Sequence, residues 1–288
     1  MRLEYACQRK SEHSKTEIFR KHFGSLPLAL ADMWHNMTAT DISEARVDIK
    51  EQDDAGFRMF LVAHFFLWTY PKNSGLIVSR FQICDKYSRG EHLWKWIRKI
   101  AVLKALKIVW DPRLDSVESE IFVVTVDGTD FRVNEKKHPR FNQDKGQCSK
   151  KFNHCAAKYE VAVSVFRSKI VWINGPFRGA EHDLTMMRGG RLMELIAEGK
   201  KGIADRGYVT SVPEEKAKLS FPNAYDPKEL NKFKSRARLR QETLNGRLKN
   251  FNVLSETFRH GEKHKFAFEA VAVTVQYQMD NGSPLYDV

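Results

Sequence analysis

The chain has 288 residues, 42% hydrophobic and 29% charged, enough for one sizeable core and a smaller appended part. Lysine and arginine number 48 against 36 aspartate and glutamate, a formal net charge of +12. That excess points to a polyanionic partner, nucleic acid before acidic membrane, with a generic basic surface as the plain alternative.

In chain order, Met1–Lys10 is polar and charged, unlike a secretory leader. A helix is predicted over KTEIFRKHFG, ending at Gly24, and HNMTATDIS reads as a loop. The apolar run from Phe57 to about Trp68 predicts a buried helix, closed by the breakers Pro71, Asn73 and Gly75. Its most apolar part, MFLVAHFFLW, is too short to cross a bilayer and carries His64, so no membrane partner is expected. LIVSRF predicts a short helix. EHLWKWIRKIAVLKALKIVW predicts a longer one, since Leu93, Trp96, Ile97, Ile100, Leu103 and Leu106 recur at helical spacing. Three helices, a tight middle turn and a basic third helix fit a helix-turn-helix that sets Lys95, Arg98 and Lys99 on DNA. A helical subdomain that only packs on its neighbour fits too, with Trp94 and Trp96 as core.

After Pro112 the pattern changes. EIFVVTVDGTDFRV is dense enough in Val and Ile for a central strand, and KYEVAVSVF and SKIVWING form a hairpin through an RS turn. HDLTMMRGGRLMELIAEG reads as one helix opened by Asp183 and stopped at Gly199, with His182-Asp183 as its N-cap. KGIADRGY supplies a fourth strand. From about Asp226 the chain is helical and strongly basic up to Lys265. The expected organisation is a helical and polar segment over 1–50, the helix-turn-helix-like portion over 51–112 and an α/β core over 113–288. The cysteines Cys7, Cys84, Cys148 and Cys155 form no CxxC pair, which fits a reducing intracellular compartment. With His138 and His154 they match no standard zinc module.

Two strands end on exposed carboxylates, Asp127 in VVTVDGT and Asp205 in GIADRGY. If those strands are parallel neighbours joined by a crossover, the carboxylates converge at the sheet edge where open α/β sheets bind ligands. A third acid, Glu242, lies in RLRQETLNGRLKNF, where positions 238, 242, 245 and 249 share one helix face. Carboxylates plus phosphate oxygens suit Mg²⁺ or Mn²⁺, and two such ions about 3.5–4 Å apart can activate a water or hydroxyl and steady the leaving oxygen. Arg238, Arg247 and Lys249 would then bind the nucleic-acid backbone. Each acid has a plainer alternative: an Asp-Gly turn for Asp127, a strand-end turn for Asp205, an intrahelical ion pair for Glu242. Asp183 stands between helix capping and direct metal contact, or a supporting place beside the metals, and Asp130 is read as solvated or supporting. HPRFNQDKGQCSKKFNH holds a DNA strand or is a solvated loop. KFKSRARLR is a phosphate-binding face or a nuclear import signal, hence an expected nuclear location.

VVTVDGTDF, KYEVAVSVFRSKIVWINGPFRGAEHDLTMMR, IADRGY and RLRQETLNGRLKNFNVL together resemble the DDE-superfamily transposase/endonuclease domain of the PIF/Harbinger type, over roughly 117–275. The resemblance implies an RNase H-like fold and a first acid at Asp127, a second at Asp205 and a third at Glu242. It also implies divalent-metal cleavage of double-stranded DNA, a preceding helix-turn-helix, and a Myb-like helper protein and a homo-oligomer as partners. Arg238, Glu242 and Lys249 resemble the arginine–glutamate–lysine signature of related insertion-sequence transposases, whose frequent preceding tyrosine is Ser235 here. A domesticated or decayed transposase that binds DNA without cutting is the competing expectation.

Overall fold

The structure, a computed structural model, describes residues 12–39, 54–71, 74–88, 90–110, 121–134, 148–149, 154–223 and 225–288. The chain divides into two compact units. The first joins Met1–Lys104 to Asn250–Glu256 and Phe266–Ser283; the second comprises Ala105–Lys249, Thr257–Lys265 and Pro284–Val288. The expected boundary at 112/113 lies outside the described residues.

The first unit is helical because its apolar residues recur every three to four positions. Its helices include Glu12–Phe23, Pro27–Ala39, Asp54–Thr69, Ser74–Phe81 and Gly90–Val102. The helix Pro27–Ala39 takes in the first half of the expected loop HNMTATDIS. Ala29, Leu30, Met33, Trp34 and Met37 are buried at helical spacing there, and packing outweighs the turn residues. Trp94 is 2% exposed and packs edge-on to Phe66 at 5.9 Å, so it belongs to the core. His64 is fully buried, its Nδ1 donating to the Phe60 carbonyl at 3.0 Å. Burial pulls His64 down to about 4, which leaves it neutral. Lys95 is exposed; Arg98 pairs with Glu91 at 3.0 Å, and Lys99 lies 4.7 Å over the Trp96 ring.

The second unit is built on a mixed sheet: β1 (Phe122–Arg132), β2 (Cys148–Ser149), β3 (His154–Ser164), β4 (Ile170–Arg178), β5 (Lys201–Ala204) and β6 (Leu219–Ser220). β3 pairs antiparallel with β2, β4 and β1, whereas β1, β5 and β6 run parallel to one another. Parallel β1 and β5 need a crossover. The short helices Asp183–Gly189 and Leu192–Leu195 lie between β4 and β5 in the chain. They were expected as one helix. Gly189 and Gly190 weaken the helix, and Arg191, at φ 62, leaves its path. Met187, Leu192 and Ile196 pack on Val124, Val126, Ala162 and Ala204. A second cluster sets Ala237 and Phe233 of the basic helix Lys228–Lys249 against Val165 and Ile203. Strands between helices in this order give an α/β architecture of the RNase H-like kind. Among the described residues no helix is long and apolar enough to cross a membrane.

Candidate active site

Val126 and Ala204 are the last register partners of the parallel pair β1/β5, so Asp127 and Asp205 are the next residue on each strand. β1 continues through Gly128, but β5 stops. Asp205 caps the turn Arg206–Tyr208, accepting from the Arg206 backbone N–H at 2.7 Å. Ending a buried strand on a turn presents the carboxylate at the sheet edge, and the Asp205 side chain is 50% exposed.

The basic helix is tied across this edge by a buried amide absent from the sequence reading. Gln241 accepts from Thr125 Oγ1 at 2.8 Å and donates to the Val161 carbonyl at 3.2 Å, binding the helix to β1 and β3. A turn to either side, the helix meets both strand-end acids. Arg238 pairs with Asp205 at 3.1 Å, and Asn245 Nδ2 donates to Asp127 Oδ2 at 2.8 Å. Lys249 lies 5.7 Å over the Phe131 ring. Glu242, beside Gln241, shares one cleft with Asp127 and Asp205, whose other walls are Thr125, Val126, Ile203, Arg238 and Gln241. The predicted stripe 238, 242, 245, 249 thus runs along the sheet edge. Arg247 points elsewhere in its bonding, donating to the Pro284 carbonyl at 3.0 Å.

The donor chemistry of this cleft, carboxylate oxygens from three elements, suits a hard divalent cation. Among the described residues, however, no three His, Cys, Asp or Glu side chains already converge as a metal cage. Arg238 and Asn245 engage Asp205 and Asp127 instead.

Behind the edge lies a second set of polar groups. Glu160, register partner of Gly128, is fully buried. Trp172 Nε1 donates to its Oε2 at 3.4 Å. Burial holds the Glu160 carboxyl up at about 7 against the hydrogen bond from Trp172, and the charge of Asp183 adds to the shift. The buried Tyr208 phenol is pushed well up by burial and then by the charges of Glu160, Asp183 and Asp127. Sequence reasoning missed Glu160, whose only local signal is a carboxylate directly before the apolar run Val161–Val163 of β3.

The capping expectation for His182-Asp183 is corrected. His182 holds the cap position without a side-chain hydrogen bond, and Asp183 is the first helical residue. Its carboxylate pairs with Lys158 of β3 at 2.7 Å, a half-buried partner stronger than an orphan helix N–H. It also presses on two glycines: a Cβ at Gly128 would stand 2.6 Å from Asp183 Oδ1, and one at Gly207 would stand 2.3 Å from Oδ2. Asp130 accepts from Ser149 Oγ at 2.6 Å. Most of HPRFNQDKGQCSKKFNH lies outside the described residues.

The family model described as DDE superfamily endonuclease matches residues 126–276, just over half of the chain. This chain belongs to that family. The match opens one residue before Asp127 and takes in Asp205 and the whole basic helix. No curated protein and no solved structure matches the chain. A DDE endonuclease acts on DNA, which supplies the polyanion that the net charge of +12 called for.

Proposed function

We propose that this DDE-superfamily chain cleaves, and in a transposase setting transfers, DNA phosphodiester bonds with two Mg²⁺ or Mn²⁺ ions held by Asp127, Asp205 and Glu242, as in the PIF/Harbinger type. The observation that carries the proposal is that these three acids, distant in sequence, line one cleft at the end of the parallel pair β1/β5. Bound there, the metal supplies an activated water or hydroxyl and charge relief for the leaving oxygen. The protein's own part is positional. Gln241 fixes the basic helix so that Glu242 borders both strand ends, and Arg238 and Lys249 set cations beside the acids to hold the scissile strand. In the same proposal the N-terminal helices, with Lys95, Arg98 and Lys99, bind flanking duplex as a helix-turn-helix.

A second reading is favoured by the bonds of Asp205 to Arg238 and of Asp127 to Asn245, which satisfy the acids internally. Under that reading the protein binds DNA without cutting it. Plasmid nicking, with binding measured in parallel in Mg²⁺ and in Ca²⁺, separates the two. D127N, D205N and E242Q each lose cleavage on the order of a thousandfold while DNA affinity stays within about threefold. Undiminished cleavage by D205N removes the assignment; wild-type binding with no Mg²⁺-dependent product establishes the second reading.

A further inference from the structure

We infer that Asp183, clamped by Lys158, is a positioning residue that sets the distance between Asp127 and Asp205. The inference rests on the nuclease reading of the cleft but concerns a side chain outside it. Gly128 follows Asp127 directly and Gly207 follows Asp205 by two residues. One Asp183 oxygen lies against each glycine, too close for either to carry a Cβ. A single carboxylate therefore bridges the backbones of both acid-bearing segments.

The turn after β5 is the one that needs such a bridge. Glycine leaves φ and ψ the freest of any residue, so the turn at Gly207 has little stiffness of its own, whereas Gly128 is held in the β1/β3 ladder and gives the bridge a fixed end. The bridge is itself fixed. Lys158 Nζ pairs with Asp183 Oδ1 at 2.7 Å and donates to the Glu181 carbonyl at 3.0 Å, holding the segment from two points. The pair is largely sheltered, the Lys158 side chain being 14% exposed and that of Asp183 27%. Lys158 also has an electrostatic task. Glu160 and Tyr208 face Asp183 from neighbouring elements, with Asp127 acting on the same Tyr208, and an uncompensated charge there would add to the repulsion at this edge. Paired, Asp183 adds bulk and rigidity with little net charge. Asp183 is engaged by Lys158 and is not among the residues that line the cleft with Asp127, Asp205 and Glu242.

Misplacing a reacting group by about 1 Å costs on the order of a hundredfold in rate. The test uses the full chain with D183N, K158M, K158R and the double variant D183N/K158M, reading kcat and KM for DNA nicking, Mn²⁺ affinity by calorimetry and melting temperature. D183N and K158M each lower kcat about tenfold to a hundredfold and weaken Mn²⁺ binding about tenfold, with KM within about twofold. The double variant stays within about threefold of either single one, as expected for two residues acting as one unit, and K158R restores most of the loss. Several results overturn the inference: D183N as inactive as D127N beside an unaffected K158M, which makes Asp183 a direct ligand; additive losses in the double variant; or unchanged kcat and Mn²⁺ affinity in both singles. Losses in kcat that only follow a melting temperature lowered below the assay temperature do so as well. Wild type that binds Mn²⁺ but cuts nothing removes the nuclease reading alone, and the Mn²⁺ affinities then decide the positioning role. Wild type that binds no Mn²⁺ overturns both.

Discussion

His64 and Glu160 are both fully buried titratable side chains, one in each unit, and their surroundings differ in kind. His64 sits among neutral partners: the Phe60 carbonyl, the Phe60 ring at 4.4 Å and the Thr274 hydroxyl at 3.4 Å. Burial decides its state against the opposing hydrogen bond to the Phe60 carbonyl, and a neutral imidazole costs the helical unit little. Glu160 has Trp172 and Tyr208 beside it but also the charge of Asp183, with Asp127 acting on the same tyrosine. Around His64 the helical interior is electrically quiet, whereas around Glu160 the sheet unit gathers like charges behind one edge. A fold tolerates such crowding where stability is subordinate to chemistry.

The contrast is tested first where it predicts the largest effect. Trp94→Ala empties a 2%-exposed site in the quiet interior and lowers unfolding free energy by about 3–5 kcal/mol, measured by urea denaturation. A loss below about 1 kcal/mol would mean that the helical interior is loosely packed, and the comparison breaks. Gly207→Ala intrudes on Asp183 at the charged edge and costs about 1–3 kcal/mol by overpacking. It also depresses nicking more than its stability loss accounts for; activity equal to wild type in the folded protein counts against a tight edge.

The smallest effect concerns pH. The folded-state pKa of Glu160 is raised from the ordinary 4.5 to about 7, so its proton is held more tightly in the folded chain. Its contribution to stability is fully present below the unfolded value and is lost as pH rises through about 7. Glu160→Gln keeps the neutral form throughout. Its melting temperature therefore falls less than that of wild type between about pH 5 and about pH 8. His64 works in the opposite window, its lowered pKa removing stability as pH falls below 6.5 toward about 4. Parallel melting curves for wild type and E160Q across the neutral range would contradict the picture of the charged edge.

The strands β1, β3 and β4 were legible because Val and Ile are dense in them, and β5 because its short apolar run ends on a carboxylate just before a turn. The neighbouring positions of Asp127 and Asp205 followed from one local feature, a carboxylate ending an apolar run just before a turn. The stripe through Arg238, Glu242, Asn245 and Lys249 needed only helical spacing. What stayed hidden depends on partners far away in sequence. β6 is two residues long and has no periodicity to read. Glu160 and Gln241 look like surface residues until Trp172, Tyr208, Thr125 and the Val161 carbonyl are brought to them. Asp183 at a helix start reads as a cap, because nothing local reveals the two glycines or Lys158. The helix His264–Asp280 is apolar enough to be recognised as buried, yet its composition does not say that most of it belongs with the N-terminal helices.

The path of the chain between its two units has a consequence for inheritance. After Lys249 the polypeptide enters the helical unit, returns for Thr257–Lys265, leaves again and returns for its last five residues. Each return completes the sheet unit. Phe258 exchanges backbone bonds with Arg132 and Asn134, His264 meets the Tyr159 hydroxyl at 2.9 Å, and the Leu285 N–H donates to Ser168 Oγ at 2.8 Å. No single contiguous stretch of the chain therefore contains the whole sheet unit without parts of the helical one, and an exchange of one segment would carry it over incomplete or with those parts attached.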